Sequence, residues 1–374
     1  VLLREKKEVR DGRLVTLQAS KSTGTHRGVI KHADVIGKEP RQVVQSNKGA
    51  TYRVVEPTLA EYVRLTPRLV TPIYPSDTNL IVSLLDIHVD TPSGGPTTEP
   101  PLEILEAGTG HGALTLHLSR AIHAANAPLP RTPSYANTQE EEPEDAVYLG
   151  ESISDLQDSV LASWKQNRRA VIHTLDISRK HSDFAKKTVQ GFRHGIYAGN
   201  VDFHVGDVSE WIANQRASRQ TEEPFLTHVF LDLPNADRHL ANVAPALHTN
   251  GMLAVFNPSI TQIAECVETV REQKMPYLLD QVIELGAGTI REWDVRAVRP
   301  RATARNTEPL SDDETTRPQI QQVARDTELA EDLAKQGEKW AMVCRPKAGQ
   351  QVVGGGFLGL WRRMEKPDSR EESE

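Results

Sequence analysis

The sequence predicts an α/β fold, a mostly parallel sheet with helices on both faces, preceded by a small N-terminal β-domain. Three observations carry this. Short apolar runs alternate with helical patterns from Leu102 onward, as parallel strands and their crossovers require. The run Leu102-Glu103-Ile104-Leu105 ends in Glu106, then in glycines at alternate positions, Gly108, Gly110 and Gly112, and a helical pattern follows. That is a strand, a tight turn and a helix, the layout of a nucleotide-type ligand site. Residues 1–55 hold short alternating runs such as Thr51-Tyr52-Arg53-Val54-Val55, punctuated by Gly, Asn and Asp.

The elements follow in order. Pro57 opens a linker helix, and Ser76 to Ile87 form an amphipathic helix capped by Ser76 or Asp77. Strands are expected at Leu102–Leu105, Ala170–Leu175, Val201–Val205, His228–Leu231 and Gly251–Phe256, with helices at Ala113–Ile122, Ser182–Arg193, Asp237–Leu247 and Ile260–Gln273. Leu278–Leu285, Arg291–Val298 and Trp340–Cys344 supply the last strands. Two polar, acidic inserts, 126–169 and 300–338, read as disordered loops. The domains are then 1–72, 73–348 and a flexible tail, 349–374, in which Gly354-Gly355-Gly356 hinges a short apolar docking segment.

Composition narrows the function classes. The net charge is −7, which argues against a polyanion as partner until its distribution is seen. Residues 1–72 carry 14 Lys and Arg against 7 Asp and Glu, while the two inserts together contribute −8. Acidic blocks of that kind are solvated loops, so the N-terminal part stands out as basic, a phosphate-binding surface or an ordinary solvated face. No apolar run approaches the ~18 residues of a membrane span. The two cysteines, Cys266 and Cys344, are isolated, which suggests a reducing compartment and no metal motif. The chain begins at Val1, consistent with loss of an N-terminal targeting segment.

The glycine spacing is E-x-G-x-G-x-G, not the G-x-G-x-x-G of dinucleotide folds, and no Lys-Ser or Lys-Thr follows to make a phosphate loop. It resembles motif I of the S-adenosylmethionine (SAM) dependent methyltransferases, with Thr109 inside the loop. Ligands of open parallel sheets sit at the carboxyl ends of the strands, where four acids fall: Glu106, Asp176, Asp207 and Asp232. For SAM, Asp176 is placed to accept from the ribose hydroxyls and Asp207 from the adenine amino group. Glu106 sits near the amino-acid end or orients the loop. Each also fits a plain helix cap. Asp232, in Phe230-Leu231-Asp232-Leu233-Pro234, falls where a methyl acceptor belongs. The D/N-P-P-Y/F motif of N6-amino methyltransferases is absent. An aspartate suits adenine N1, since it can hold the N6-amino group and face the charge that develops on the ring.

Several stretches in this order resemble the tRNA (adenine-58-N1)-methyltransferases: Glu56-Pro57-Thr58-Leu59, Thr71-Pro72-Ile73-Tyr74-Pro75-Ser76-Asp77, Leu105-Glu106-Ala107-Gly108, Leu231-Asp232-Leu233-Pro234, Asn257-Pro258-Ser259 and Arg291-Glu292-Trp293-Asp294-Val295-Arg296. The resemblance implies a Rossmann-like class I SAM methyltransferase domain behind the small β-domain. It implies SAM as cofactor, tRNA as substrate, and a catalytic subunit in a homotetramer or in a heterotetramer with a non-catalytic paralogue. By motif, Asp232 matches the catalytic aspartate and Tyr74 an aromatic lining the active site; a core aromatic is the alternative for Tyr74. The stretches are closest to the self-assembling bacterial type. Combined with the loss of an N-terminal segment that the start at Val1 suggests, that gives a mitochondrial expectation, the alternative being nuclear or cytoplasmic. His111, where serine is common, Asp176, where glutamate is common, and Asn235-Ala236-Asp237, where Pro-Trp is common, depart from the pattern. Competing readings are a non-catalytic tRNA-binding subunit and a SAM methyltransferase with a non-RNA acceptor.

Overall fold

The computed structural model of the protein describes residues 1–5, 12–91, 100–129, 153–286, 293–298, 341–346 and 355–365. The N-terminal part pairs β1 (Leu2–Glu5), β2 (Arg13–Leu14), β5 (Val43–Gln45) and β6 (Thr51–Val55) in the order β2-β1-β6-β5, all antiparallel. A separate hairpin joins β3 (Ser22–Thr25) to β4 (Gly28–Lys31). Strict alternation along β6 turns Tyr52 and Val54 inward onto Leu3, Ile30 and Val44. The linker helix α1 (Leu59–Leu65) starts one residue after Pro57-Thr58, where Thr58 and Glu61 cap each other reciprocally. Helix α2 (Pro75–Leu84) places Pro75 at its first position, so Tyr74, not Ser76 or Asp77, stands at the cap position.

The main sheet has the order β12-β15-β11-β10-β7-β8-β9. Its parallel strands are β7 (Leu102–Ala107), β8 (Ala170–Asp176), β9 (Val201–Val205), β10 (Leu226–Leu231) and β11 (Leu247–Asn257). The chain runs outward from β7 through β8 to β9, then returns to β10 and β11 on the other side of β7. The switch point therefore lies between β7 and β10, and a crevice opens at their carboxyl ends. Helices α2, α3 (Ala113–Ala121) and α5 (Arg179–Gly191) cover one face, while α6 (Val208–Arg219), α7 (Leu240–Val243) and α8 (Ile260–Glu272) cover the other. Side chains alternate along each strand. Ile104, Ile172 and Phe230 thus pack toward α2 and α3, and Leu105, Leu175, Val229 and Leu231 toward α6 to α8. Under α6, Arg219 grips the buried Glu103 carboxylate with two 2.7 Å bonds and His173 Nε2 adds one at 2.9 Å.

Four differences from the sequence-based expectations have physical causes. The insert 126–169 contains α4 (Ile153–Gln166), and its ends are fastened: the Asn126 side chain donates to Ala170 O and accepts from Arg169 and Ala170 N–H, while Trp164 Nε1 donates to Ala127 O. Helix α6 has no counterpart among the expected elements; Asp207 starts it by accepting from Ser209 and Glu210 N–H. The helix expected over Asp237–Leu247 is reduced to a 3-10 turn and α7, because Pro245 cannot continue it and Leu247 already begins β11. The tail is the largest correction. Residues 356–363 are no docking segment but β15 (Gly356–Arg363), inserted antiparallel between β11 and β12 (Tyr277–Leu285). Leu358, Leu360 and Trp361 are all buried there. Trp361→Ala is expected to cost about 3–5 kcal/mol in denaturant unfolding, whereas a loose tail would lose nothing.

A second unit, 289–352, contains a hairpin of β13 (Trp293–Val298) and β14 (Ala341–Pro346), with Trp293 opposite Pro346 and Val298 opposite Ala341. The alternation of elements predicts these strands in the main sheet, but they pair with each other. Arg291, Glu292, Trp340, residues 130–152 and 299–340, and the remainder of the tail fall outside the described residues, and so does the disorder expected of the inserts. Among the described residues no helix is long and apolar enough to cross a membrane.

Candidate active site

The glycine turn leaves β7 at the switch point. Gly108, Gly110 and Gly112 have φ of +96°, +50° and +81°, values that side chains other than glycine's rarely adopt. Gly108 is also where two strands nearly touch. A Cβ there would lie 2.1 Å from the Asp232 carbonyl oxygen, so only glycine lets the turn cross the end of β10. Gly112 lets the start of α3 approach Ala185 of α5. The turn is held from β8: Gly108 N–H donates to Leu175 O, Gly110 N–H to Asp176 Oδ2, and the Thr109 and Thr174 hydroxyls bond at 2.7 Å.

Alternation puts Glu106, Thr174, Asp176 and Asp232 on the same face as Ile104, Ile172 and Phe230, toward α2 and α3. One cavity there is lined by Thr71, Ile73, Glu106, the Gly108–His111 turn, Phe230 and Asp232. Glu106 is buried and receives the Thr115 hydroxyl at 2.6 Å and the Thr174 hydroxyl at 2.8 Å, which ties β7 to α3 and β8. Burial pushes its carboxyl up to about 7, helped by the Asp232 charge, despite those two bonds. The Asp232 carboxyl is likewise pushed up to about 7, first by burial and then by Asp176. Neither group forms an ion pair among the described residues. Acids crowded in this way favour a cationic ligand.

His111 is buried against Phe184 of α5, with ring centroids 5.9 Å apart. Neither ring nitrogen makes a hydrogen bond, and the nearby Pro67 carbonyl is outside bonding geometry. Burial, and then the Arg68 guanidinium, lower its pKa and favour the neutral form. An orphaned buried polar group in a cavity wall calls for a partner. A glycine cradle, a buried and a half-buried acid without a counter-cation among the described residues, and an orphaned imidazole fit SAM, which brings a sulfonium, an ammonium and a carboxylate. Asp176, at the end of β8, is buried and accepts from Gly110 and Ser178 N–H, with His181 Nδ1 3.5 Å from its Oδ1, and its Oδ2 keeps a lone pair for a ribose.

Glu106, Gly108, Thr109, Gly110 and Asp232 therefore meet in one cavity, with Asp176 and Gly112 bracing its turn. Tyr74 and Asp207 are not among the lining residues. Tyr74 is half-buried one residue beyond Ile73, with Arg68 over its ring at 5.4 Å and donating to its hydroxyl at 3.2 Å. Asp207 is exposed and spends Oδ1 on capping α6. Sequence reasoning does not single out Thr71, Ile73 or Phe230. Phe230 carries a usable signal, since it lies two residues before Asp232 on a strand and so shares its face.

The chain is similar to known methyltransferases. The tRNA (adenine(58)-N(1))-methyltransferase TrmI of Thermus thermophilus is 28% identical over 271 residues, covering 72% of this chain and 78% of that protein. The tRNA (adenine(57)-N(1)/adenine(58)-N(1))-methyltransferase TrmI of Methanocaldococcus jannaschii is 26% identical over 67% of this chain and 73% of its own. Among solved structures, a SAM-dependent O-methyltransferase from Thermotoga maritima matches with a TM-score of 0.56 at 16% identity, over 98% of this chain and 94% of that one. The tRNA (m1A58) methyltransferase TrmI from Aquifex aeolicus matches with 0.52, also at 16% identity, over 98% and 96%. These two establish the methyltransferase fold. The family model of the tRNA methyltransferase complex GCD14 subunit matches residues 166–359, more than half of the chain, from the helix end before β8 into β15, and the protein belongs to that family.

Proposed function

We propose that this protein transfers the methyl group of SAM to N1 of adenosine at position 58 of tRNA, as its TrmI relatives are named for doing. The observation that carries this reading is Asp232. It is a half-buried carboxyl at the end of β10, in the same cavity as the glycine turn, and it forms no ion pair among the described residues. Bound SAM supplies an electrophilic methyl on a sulfonium. Glu106 and the glycine turn would hold the amino-acid end of the donor, Asp176 its ribose and Asp207 the adenine. The Asp232 carboxylate accepts from the N6-amino group of the target base and turns N1, with its in-plane lone pair, toward the methyl. Methylation at N1 would leave positive charge on the target ring, which the Asp232 carboxylate would face and stabilise. The target lies in folded RNA and must be extruded to reach the cavity. Tyr74, next to the lining residues, offers a face on which a base can stack.

The basic N-terminal part supplies phosphate contacts. The active assembly is a tetramer, of four copies or with a paralogous subunit. Exposed Leu278, Leu279 and Val282 on the edge strand β12 offer apolar surface for such contacts. Incubation with SAM and tRNA, with the protein alone and with candidate paralogous partners, is expected to place N1-methyladenosine at position 58. Methylation of another atom, or none under any condition, would overturn the reading. Absence of SAM binding by calorimetry at near-millimolar ligand would instead identify a non-catalytic subunit.

A further inference from the structure

Helix α5 carries Arg179, Lys180, Lys186 and Lys187 exposed on its outer side, with Asp183 as the one acid on the helix. None of these four cations forms an ion pair among the described residues, in a chain whose net charge is −7. Other helices spend their cations. Arg216 of α6 donates to Glu222 and to Pro245 O, and Arg219 to Glu103. Lys165 and Arg168, at the end of α4, meet Asp202. In α8, Arg271 is outnumbered by Glu265, Glu268 and Glu272.

The cluster also works against the helix that bears it. Arg179 and Lys180 occupy the first turn, where the helix dipole favours acids, and no acid stands there. Beyond the last turn, Arg193 and His194 are exposed and held at φ of 44° and 57°, a left-handed conformation that costs energy for residues with a side chain. Asp183, four residues from both Arg179 and Lys187, is the one acid on the helix to offset its four cations.

The position of α5 suggests what the cluster serves. The helix leaves the sheet just after Asp176, so its first turn borders the crevice. Ala185 abuts Gly112, and the Phe184 ring lies tilted against His111. On its other flank the Tyr62 hydroxyl of α1 donates to Thr188 O at 2.8 Å, joining α5 to the linker that follows the basic N-terminal sheet. Arg179 and Lys186 stand about 10 Å apart along the axis, two helical turns.

We propose that this face of α5, carried by Arg179, Lys180, Lys186 and Lys187, is the track on which the phosphate backbone of the tRNA lies while its target base enters the cavity. The inference rests on the reading that tRNA is the substrate. In the full chain, the double variants Arg179→Gln/Lys180→Gln and Lys186→Gln/Lys187→Gln test it by tRNA binding across a salt series. Removing one phosphate-binding cation lowers the slope of log affinity against log salt by about 0.7–0.9, so each double variant is expected to lose roughly 1.5 in slope. KM for tRNA should rise about tenfold or more, with kcat at saturating tRNA and calorimetric SAM affinity unchanged. Lys186→Arg/Lys187→Arg should keep the wild-type slope. Wild-type slope and affinity in both glutamine variants would overturn the proposal. So would an equal loss in Lys274→Gln, at the far end of the sheet beyond α8. If the wild type methylates no tRNA yet its binding depends on α5 in this way, the activity reading fails and the surface stands.

Discussion

Asp232→Asn is expected to reduce methyl transfer by about 10²–10³-fold, the scale of losing one preorganised electrostatic partner of a transition state, while SAM affinity by calorimetry stays within a few-fold. Asparagine keeps an oxygen that can accept from the N6-amino group but not the charge that faces the ring, so the loss should fall on kcat more than on KM for tRNA. Wild-type kcat/KM should rise with pH through about 7, where burial has moved the Asp232 carboxyl, and then level off. Glu106 also titrates near 7 in the free protein, so the asparagine variant should keep a shallower limb rather than none.

Stability should move the other way. The folded Asp232 carboxyl binds its proton more tightly than an unfolded aspartate, so its contribution is fully present below about 4 and lost as pH rises through about 7. At pH 8 the wild type carries a charged, crowded carboxylate that the variant lacks. The variant should therefore melt at a higher temperature at pH 8, by an amount corresponding to roughly 1–3 kcal/mol, and the gap should close below pH 4. Undiminished turnover, or a stability gap between variant and wild type no larger at pH 8 than at pH 4, would remove Asp232 from the role given to it.

The donor half of the cavity is legible in the sequence because local rules compose it. A strand, three glycines at alternate positions and a helix need no distant information, and acids at strand ends on one parity must share a face. Asp232 can be placed for the same reason. What the sequence hides depends on contacts between residues far apart in the chain. Gly356–Arg363 reads as a short apolar run after a glycine triplet, and nothing local says that it will pair with both β11 and β12, which lie far earlier in the chain. Helix α6 is hard to see because its apolar positions are few, Val208, Trp211 and Ile212 being the buried ones. Its start signal, the capping aspartate Asp207, reads equally well as a strand-end ligand residue. The orphaned nitrogens of His111 follow from tertiary burial, which a residue in a loop motif does not announce.

Gly108→Ala should be the most damaging single-methyl change in the glycine turn, because neither side of the clash can yield. The added Cβ would meet the Asp232 carbonyl oxygen at 2.1 Å and its carbonyl carbon at 2.9 Å. Both are backbone atoms, and the neighbouring Asp232 N–H is tied to Ala107 O at 2.8 Å. On the glycine side, Gly108 N–H is tied to Leu175 O, also at 2.8 Å. The turn is therefore pinned to β8 while Asp232 is pinned to β7, and φ of +96° adds strain for any side chain. Overpacking and backbone strain together should cost about 2–5 kcal/mol, with loss of both SAM binding and methyl transfer as Asp232 is displaced. Gly110→Ala is the informative contrast. Its Cβ would meet the Val70 Cγ2 methyl at 3.3 Å, a side chain that can turn, and its φ of +50° lies in the left-handed helical region. The expected cost is about 1–2 kcal/mol, with SAM binding weakened rather than lost. Thermal melts and calorimetry on the two variants compare them directly. Equal effects would mean that the turn is limited by glycine's backbone freedom alone. A much larger effect at Gly108 would mean that close passage over Asp232 couples the donor turn to the residue that faces the acceptor.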